Sequence, residues 1–587
     1  MNEEKGILKR FKIGSKKKKK KGRIIKEFRI AYRSIESLEN YLKKILLPTI
    51  ILGALVFFIP SIFDMFSIPL AATPFLFPFG GSIIIVLGVL YPYITWKNKE
   101  VEINESMHFF ITHLRVLAIS DMGLKDILNV IGGKKVYGYL GEEMRKIAVL
   151  STTWKASIEN AFQFISDRTP SKMLKDFLDR FSQSVSSGVN HRDFIEQEQE
   201  GVIEEYKTMY ESSNEIITLL NEIYVALLTS IVFLMVFGII APAIAGGDFN
   251  TYFYGSCFVL IISEICLLYF IHSFIPKDEM WHTGDKKSEE EKKIGNVFKL
   301  SVLAVFSIGG ILFFARYVLA ISFLQIVPYE ILVAISLTPL IIPGIMVLLE
   351  EEKISRREKN FMGFLPSLGA IATMRGGKVN ESVGYLSRRD YGILSESIGK
   401  LSKRLRTRID DAASWEWFGV ETHSNLIQRF SEIFREATYA AANPRITSGM
   451  ITGNMRKIKN LRFKKLTILK TTNALFYAIT LGITLTIYVT LVISRHMNNI
   501  IAGIGDPFES VGIDMPILQA ISEEIISNTF MAVFFVLIIH CFIISFTMKV
   551  LRGGHKYITL FHFVPMVWIV AVIGVVTNIG LTQFLGV

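Results

Sequence analysis

Nine stretches of apolar sequence, each close to the 20 residues a helix needs to cross the hydrocarbon core of a bilayer, govern what this chain can become. They run at about 45–63, 75–95, 221–245, 252–275, 298–320, 326–349, 467–493, 525–547 and 559–584. Half of the 587 residues are hydrophobic and 44 are Phe, more apolar surface than a set of soluble domains would bury. Pro60, Pro242 and Pro343 lie inside or at the ends of these runs, where neighbouring helices can satisfy the freed carbonyls. Pro48 and Pro60 leave the first span short. No cleavable signal is visible, because the first apolar run starts behind a long basic segment.

Charge sets the expected orientation. Residues 1–44 carry about +11, with a lysine run at 16–21, whereas 96–218 come to about −4 and 350–466 to about +9. An inside N-terminus gives the cytoplasm that run, both large polar regions, Lys286, Lys287, Lys292 and Lys293, and the tight loop with Lys549, Arg552 and Lys556. The outer side then receives links around Asp64 and Asp248 and a loop at 494–524, with Arg495 set against Asp506, Glu509, Asp514, Glu523 and Glu524. The basic N-terminal tract is expected to be disordered and drawn to membrane lipid.

The two polar regions read as copies. Phe110 precedes Gly123 by 13 residues, and Phe364 precedes Gly377 by the same interval. Ser171 stands before Phe177 and Phe181 as Ser424 stands before Phe430 and Phe434. Leu174, Phe177, Leu178, Phe181 and Val185 form one helical stripe, and Leu426, Phe430, Ile433, Phe434 and Ala437 form another. Thr169-Pro170 is expected to open the first of these helices and Ser187-Gly188 to stop it, with Asn443-Pro444 as terminator in the second copy. Gly123 and Gly376-Gly377 fit helix C-caps.

The expected fold class is therefore an all-α polytopic membrane protein, with about nine transmembrane helices and two homologous cytoplasmic helical-bundle domains. Its parts are a basic segment 1–44, spans in 45–95, a first bundle 96–220, four spans in 221–349 with a cytoplasmic loop 276–296, a second bundle 350–466, and three spans in 467–587.

The Phe110…Gly123 and Phe364…Gly377 helices, with the later helices ending at Ser187-Gly188 and Ala442-Asn443, make 96–493 resemble the type II secretion system F family of membrane platform proteins. The span number is similar to that of the members serving archaella and archaeal type IV pili. The resemblance implies a platform in the cytoplasmic membrane that is not an enzyme, docks a hexameric secretion ATPase, passes motion to pilin-like or archaellin subunits, and forms a homodimer. No nucleic-acid partner is expected.

Local chemistry agrees with a non-enzymatic role. Gly133-Lys134, Gly377-Lys378 and Gly399-Lys400 lack the first glycine or the following Ser/Thr of a phosphate-binding loop. His108 and His113 are five apart, off the spacing of a helical metal site, and GxSxG is absent. Cys257, Cys266 and Cys541 sit in apolar runs as free thiols. No cofactor is expected.

Candidate docking residues are basic: Arg375, Lys378, Arg388, Arg389, Lys400, Lys403, Arg404, Arg406 and Arg408, with Lys400, Lys403 and Arg404 on one helical face. That face suits an acidic partner or anionic headgroups. Glu196, Glu198, Glu200, Glu204 and Glu205 form an acidic candidate, able to meet a partner or to pair with the basic second bundle. Glu264 lies mid-span, a costly position and so a functional candidate, with Arg316 as a conceivable partner at another depth. An ion-coupled transporter or channel with cytoplasmic regulatory domains is the alternative reading, though transporter repeats usually lie within the spans.

Overall fold

The computed structural model describes residues 32, 38–65, 76–120, 122–245, 249–276, 278–284, 286–504 and 523–585. The lysine run at 16–21, the Asp248 link and most of the 494–524 loop lie outside the described residues. Among the described residues the elements are helical, apart from one isolated bridge between Trp281 and Ser424. Eight helices there are long and apolar enough to cross a membrane. The expected span at 75–95 falls in the first half of α3, beside residues 66–75, which are not described.

The chain divides into two compact units, residues 1–104 with 167–175, and residues 105–166 with 176–587. In the first, a short α1 (Leu38–Tyr41) and a π turn lead into α2 (Leu47–Met65), which meets α3 (Leu76–Ala118). Gly81 and Gly88 allow that approach: a Cβ at either would collide with the Gly53 carbonyl or with Thr49. The Tyr41 hydroxyl donates to the Gly88 carbonyl at 2.9 Å.

In the second unit, α8 (His191–Ala245), α9 (Phe249–Phe274), α18 (Pro444–Ile504), α19 (Glu523–Arg552) and α20 (Ile558–Leu585) share one apolar core, including Met235, Phe253, Phe476, Tyr488, Leu537 and Val567. By contrast α10 (Glu289–Tyr317) leaves Leu300, Leu303, Phe306 and Ile311 exposed, a face suited to lipid. The span expected at 326–349 is not one helix. It comprises the end of α11 (Ser322–Ile326), α12 (Tyr329–Leu337), a 3-10 turn Thr338–Leu340, and the start of α13 (Ile341–Met374). Pro339 has no N–H to give back to the preceding turn. The Thr338 hydroxyl instead donates to the Ala334 carbonyl at 2.8 Å and accepts from Trp568 at 3.1 Å.

The two polar regions repeat one order of elements. Each has an incoming helix, a short helix, a 3-10 turn, three helices and a long outgoing helix. In the first copy these are α3, α4 (Leu124–Gly132), Lys135–Tyr137, α5 (Gly138–Thr152), α6 (Ile158–Ser166), α7 (Lys172–Ser186) and α8. In the second they are α13, α14 (Val379–Leu386), Gly392–Leu394, α15 (Ser395–Arg406), α16 (Asp411–Thr422), α17 (Asn425–Tyr439) and α18. α7 and α17 open on equivalent serines. Ser171 Oγ accepts from the Leu174 N–H at 3.0 Å, and Ser424 Oγ accepts from that of Ile427 at 3.2 Å. Each hydroxyl donates in turn to the incoming helix, to Asn104 in one copy and to Glu358 in the other.

Three expected boundaries differ. Gly123 is extended and precedes α4; it does not close α3, which ends at Ala118. Ser171, rather than Thr169-Pro170, caps α7, because its side chain reaches the third amide of the helix. Asn443-Pro444 starts α18, with Asn443 Oδ1 accepting from the Arg445 N–H at 3.0 Å and proline as first helical residue. Gly188 and the Gly376-Gly377 pair do end their helices, at positive φ. The Gly377 N–H closes on the Ala372 carbonyl at 2.8 Å. In the stripes, Val185 is half-buried and the other nine residues are buried.

Two outgoing helices do not stop at the end of their bundles. α8 has 55 residues and α18 has 61, and each carries a polar bundle segment and an apolar span without interruption.

Candidate functional site

Residues 105–166 meet the second copy along a mixed seam. Phe109 packs against Phe430, with ring centroids 5.0 Å apart, and the Arg429 guanidinium covers Phe109 at 4.7 Å. Asn454 donates to the His108 carbonyl at 3.0 Å, joining α18 to α3. Lys134 pairs with Glu432 at 2.8 Å and with Glu436, which also lies 3.2 Å from His113 Nε2. Burial pushes the Glu436 carboxyl up, but His113 and Lys134 outweigh it and hold it at about 2. Gly133-Lys134, of interest as a failed nucleotide loop, thus serves as an ion-pair donor between copies.

The segment joining α9 to α10 closes on the second copy. Its His282 N–H donates to the His423 carbonyl at 2.9 Å, and the Asn425 N–H to that of Met280 at 3.0 Å. His423, in the left-handed conformation, turns Nδ1 onto Glu350 at 2.8 Å, and Arg357 reaches the same carboxylate at 2.7 Å. Asp278 sits deeper. Arg462 holds it at 2.7 Å, the Tyr210 hydroxyl donates to it at 2.7 Å, and Lys465 stands at 3.9 Å. Burial alone pushes the Asp278 carboxyl up; the two cations and the hydroxyl overcome it and leave it below the usual carboxylate range. Sequence reading missed this cluster, since its members stand up to 255 residues apart and only the basic α18 entry signalled it.

The basic candidates divide into paired and unpaired. Lys378 meets Glu381 at 3.2 Å, Lys400 meets Glu396 at 2.8 Å, and Arg375 and Arg389 both cover the Tyr385 ring. Arg404 turns inward onto Glu421 and is half-buried. It leaves the face that helical spacing shares among Lys400, Lys403 and Arg404. Arg388, Lys403, Arg406 and Arg408 are exposed, with no ion pair among the described residues. The acidic candidates bind close to home. Glu196 pairs with Arg115 at 2.7 Å, Glu198 takes both ends of Arg180, and Glu204 meets Lys207. Glu200 is exposed and Glu205 half-buried. The partners of Glu196, Glu198 and Glu204 belong to the first copy, not to the basic second one.

Glu264 is buried and contacts His540 Nδ1 across α9 and α19. Arg316 lies elsewhere, donating to the Val327 carbonyl at 2.6 Å. The one signal for His540 was an imidazole in the middle of an apolar run. Among the described residues, no group of three His, Cys, Asp or Glu is placed to hold a metal ion.

Residues 110–239 match the family model for type II secretion system protein F. The chain is 33% identical over 552 residues to the flagella accessory protein J of Methanocaldococcus jannaschii, covering 93% of this chain and 96% of that one. It is 34% identical over 489 residues to the flagella accessory protein J of Methanococcus voltae, covering 83% and 87%. No solved structure matches. The chain belongs to the type II secretion system protein F family, together with these flagella accessory proteins.

Proposed function

We propose that this multi-pass membrane protein is the platform of an archaellum or related type IV pilus-like assembly machine. It docks a cytoplasmic hexameric secretion ATPase and couples the ATPase's motion to insertion of pilin-like or archaellin subunits. The near full-length similarity to two flagella accessory proteins carries the reading. The exposed cations Arg388, Lys403, Arg406 and Arg408 support the docking part, because unpaired surface charge is free to steer an acidic partner. Work in such a machine comes from the ATPase, and uninterrupted α8 and α18 offer a path for it into the bilayer.

The test is a pull-down of the full-length protein in mild detergent from its own cells, with mass spectrometry of what co-purifies. Recovery of a hexameric secretion ATPase, reduced by Arg388→Glu/Lys403→Glu/Arg406→Glu at unchanged thermal stability, is the expected result. Undiminished recovery removes this docking surface. Absence of any ATPase, with proton- or solute-dependent vesicle flux abolished by Glu264→Gln, replaces the platform with a transporter.

A further inference from the structure

A cavity of about 750 Å³ opens where α9 and α19 lose their apolar character. Its lower wall is Ile265, Leu268, Phe546 and Val550, residues of the two apolar helices. Ile265 and Phe546 are exposed on the face that lipid would cover. The upper wall changes chemistry within a turn or two. Lys549, His272 and His555 line it, with the backbone of Gly553-Gly554. His282 lines it too, with its Nε2–H donating to the Lys286 carbonyl at 3.0 Å.

The cavity is held open from behind. Glu351 accepts from the His555 N–H at 3.1 Å, pairs with Arg552 at 2.8 Å, and accepts from Trp281 Nε1 at 3.4 Å. Gly553, at φ +75°, lets the turn after α19 lie against the backbone of Asp278, where any Cβ would collide. Asp278 is fixed in turn by Arg462 and Tyr210. The Asp278 charge on the cavity wall is therefore already answered from inside the bundle, leaving Glu279 at the exposed lip.

An apolar lower half continuous with the lipid-facing surface, topped by cationic and imidazole donors at the membrane boundary, matches one kind of ligand. We propose that this groove binds a single membrane lipid with an anionic phosphate headgroup. Its chains lie along Leu268 and Phe546, and its phosphate meets Lys549 and His555, whose Nδ1 accepts from the Tyr557 N–H at 3.4 Å and leaves Nε2–H to donate. A pocket of this size suits one amphiphile rather than an annulus of bulk lipid. The inference stands independently of the platform reading, since it uses only the groove and its place in the spans.

Native mass spectrometry of the full-length protein, delipidated in detergent and titrated with phosphatidylglycerol or phosphatidylcholine, tests it. One phosphatidylglycerol per chain should be retained, and phosphatidylcholine should not. Leu268→Trp, which fills the groove at a half-exposed position, and Lys549→Glu should each weaken retention about tenfold. Leu300→Trp, on the exposed face of α10, should leave it unchanged. Equal retention of the two lipids, or undiminished retention by Leu268→Trp, overturns the proposal. Displacement by millimolar inorganic phosphate also overturns it, by showing a site for the free anion.

Discussion

Replacing Asp278 with Asn keeps its shape and removes its charge, so it isolates the part played by the cluster with Arg462 and Lys465. Both cations are almost entirely buried, and Arg462 keeps a second carboxylate, Glu358, at 3.6 Å. Breaking a buried pair from one side costs about 3–5 kcal/mol, because the remaining charge is stranded. The residual Glu358 contact places Asp278→Asn near the lower figure. Thermal unfolding of the full-length protein in detergent, followed by tryptophan fluorescence, reads the loss. A double-mutant cycle with Arg462→Met should return a coupling of about 2 kcal/mol. The pH dependence has a fixed sign. The folded carboxyl titrates below its unfolded value of about 4, so the stabilisation is complete above that pH and is lost as pH falls through the folded value. Wild type and Asp278→Asn should therefore stay apart down to about pH 4 and converge only below it. A loss under about 1 kcal/mol, the value of an exposed pair, would refute the claim that this cluster anchors the linker.

Other substitutions probe other levels. Glu436→Gln should cost about 1–3 kcal/mol at neutral pH, and the difference from wild type should fade between about pH 4.5 and pH 2 in the same assay. Arg404→Glu, facing Glu421, should lower the unfolding midpoint. Lys403→Glu should stay within about 0.5 kcal/mol of wild type while weakening ATPase capture. His540→Leu should strand the Glu264 carboxyl and destabilise by about 3 kcal/mol, with Glu264→Leu/His540→Leu recovering most of it in the same detergent melts.

Some of this was written plainly in the sequence and some could not be. Spans are set by run length and the stripe of α17 by period, both local properties, so Leu426, Phe430, Ile433, Phe434 and Ala437 were all found. The cap of α7 was placed two positions early, at Thr169 instead of Ser171, and Asn443-Pro444, expected to end α17, instead starts α18, because any Ser, Thr or Asn near a helix end is a plausible cap until the amides are placed. The intact face of Lys400, Lys403 and Arg404 was a correct statement about helix geometry, but Glu421 draws Arg404 out of it. No spacing rule links Asp278 to Arg462, or Glu264 to His540. Those pairs arise only when distant spans and the linker between them pack together.

α18 has no proline beyond its first residue and no break between its bundle segment and its apolar span. At 1.5 Å per residue its 61 residues make a rod of about 90 Å. A rod of that length is a lever. Tipping its bundle end by about 5° swings the other end through about 8 Å, more than one helical pitch. Under the proposed function, a small angular stroke delivered to the second copy would arrive in the membrane as a displacement comparable to the width of a neighbouring helix, with no break in the helix to absorb it.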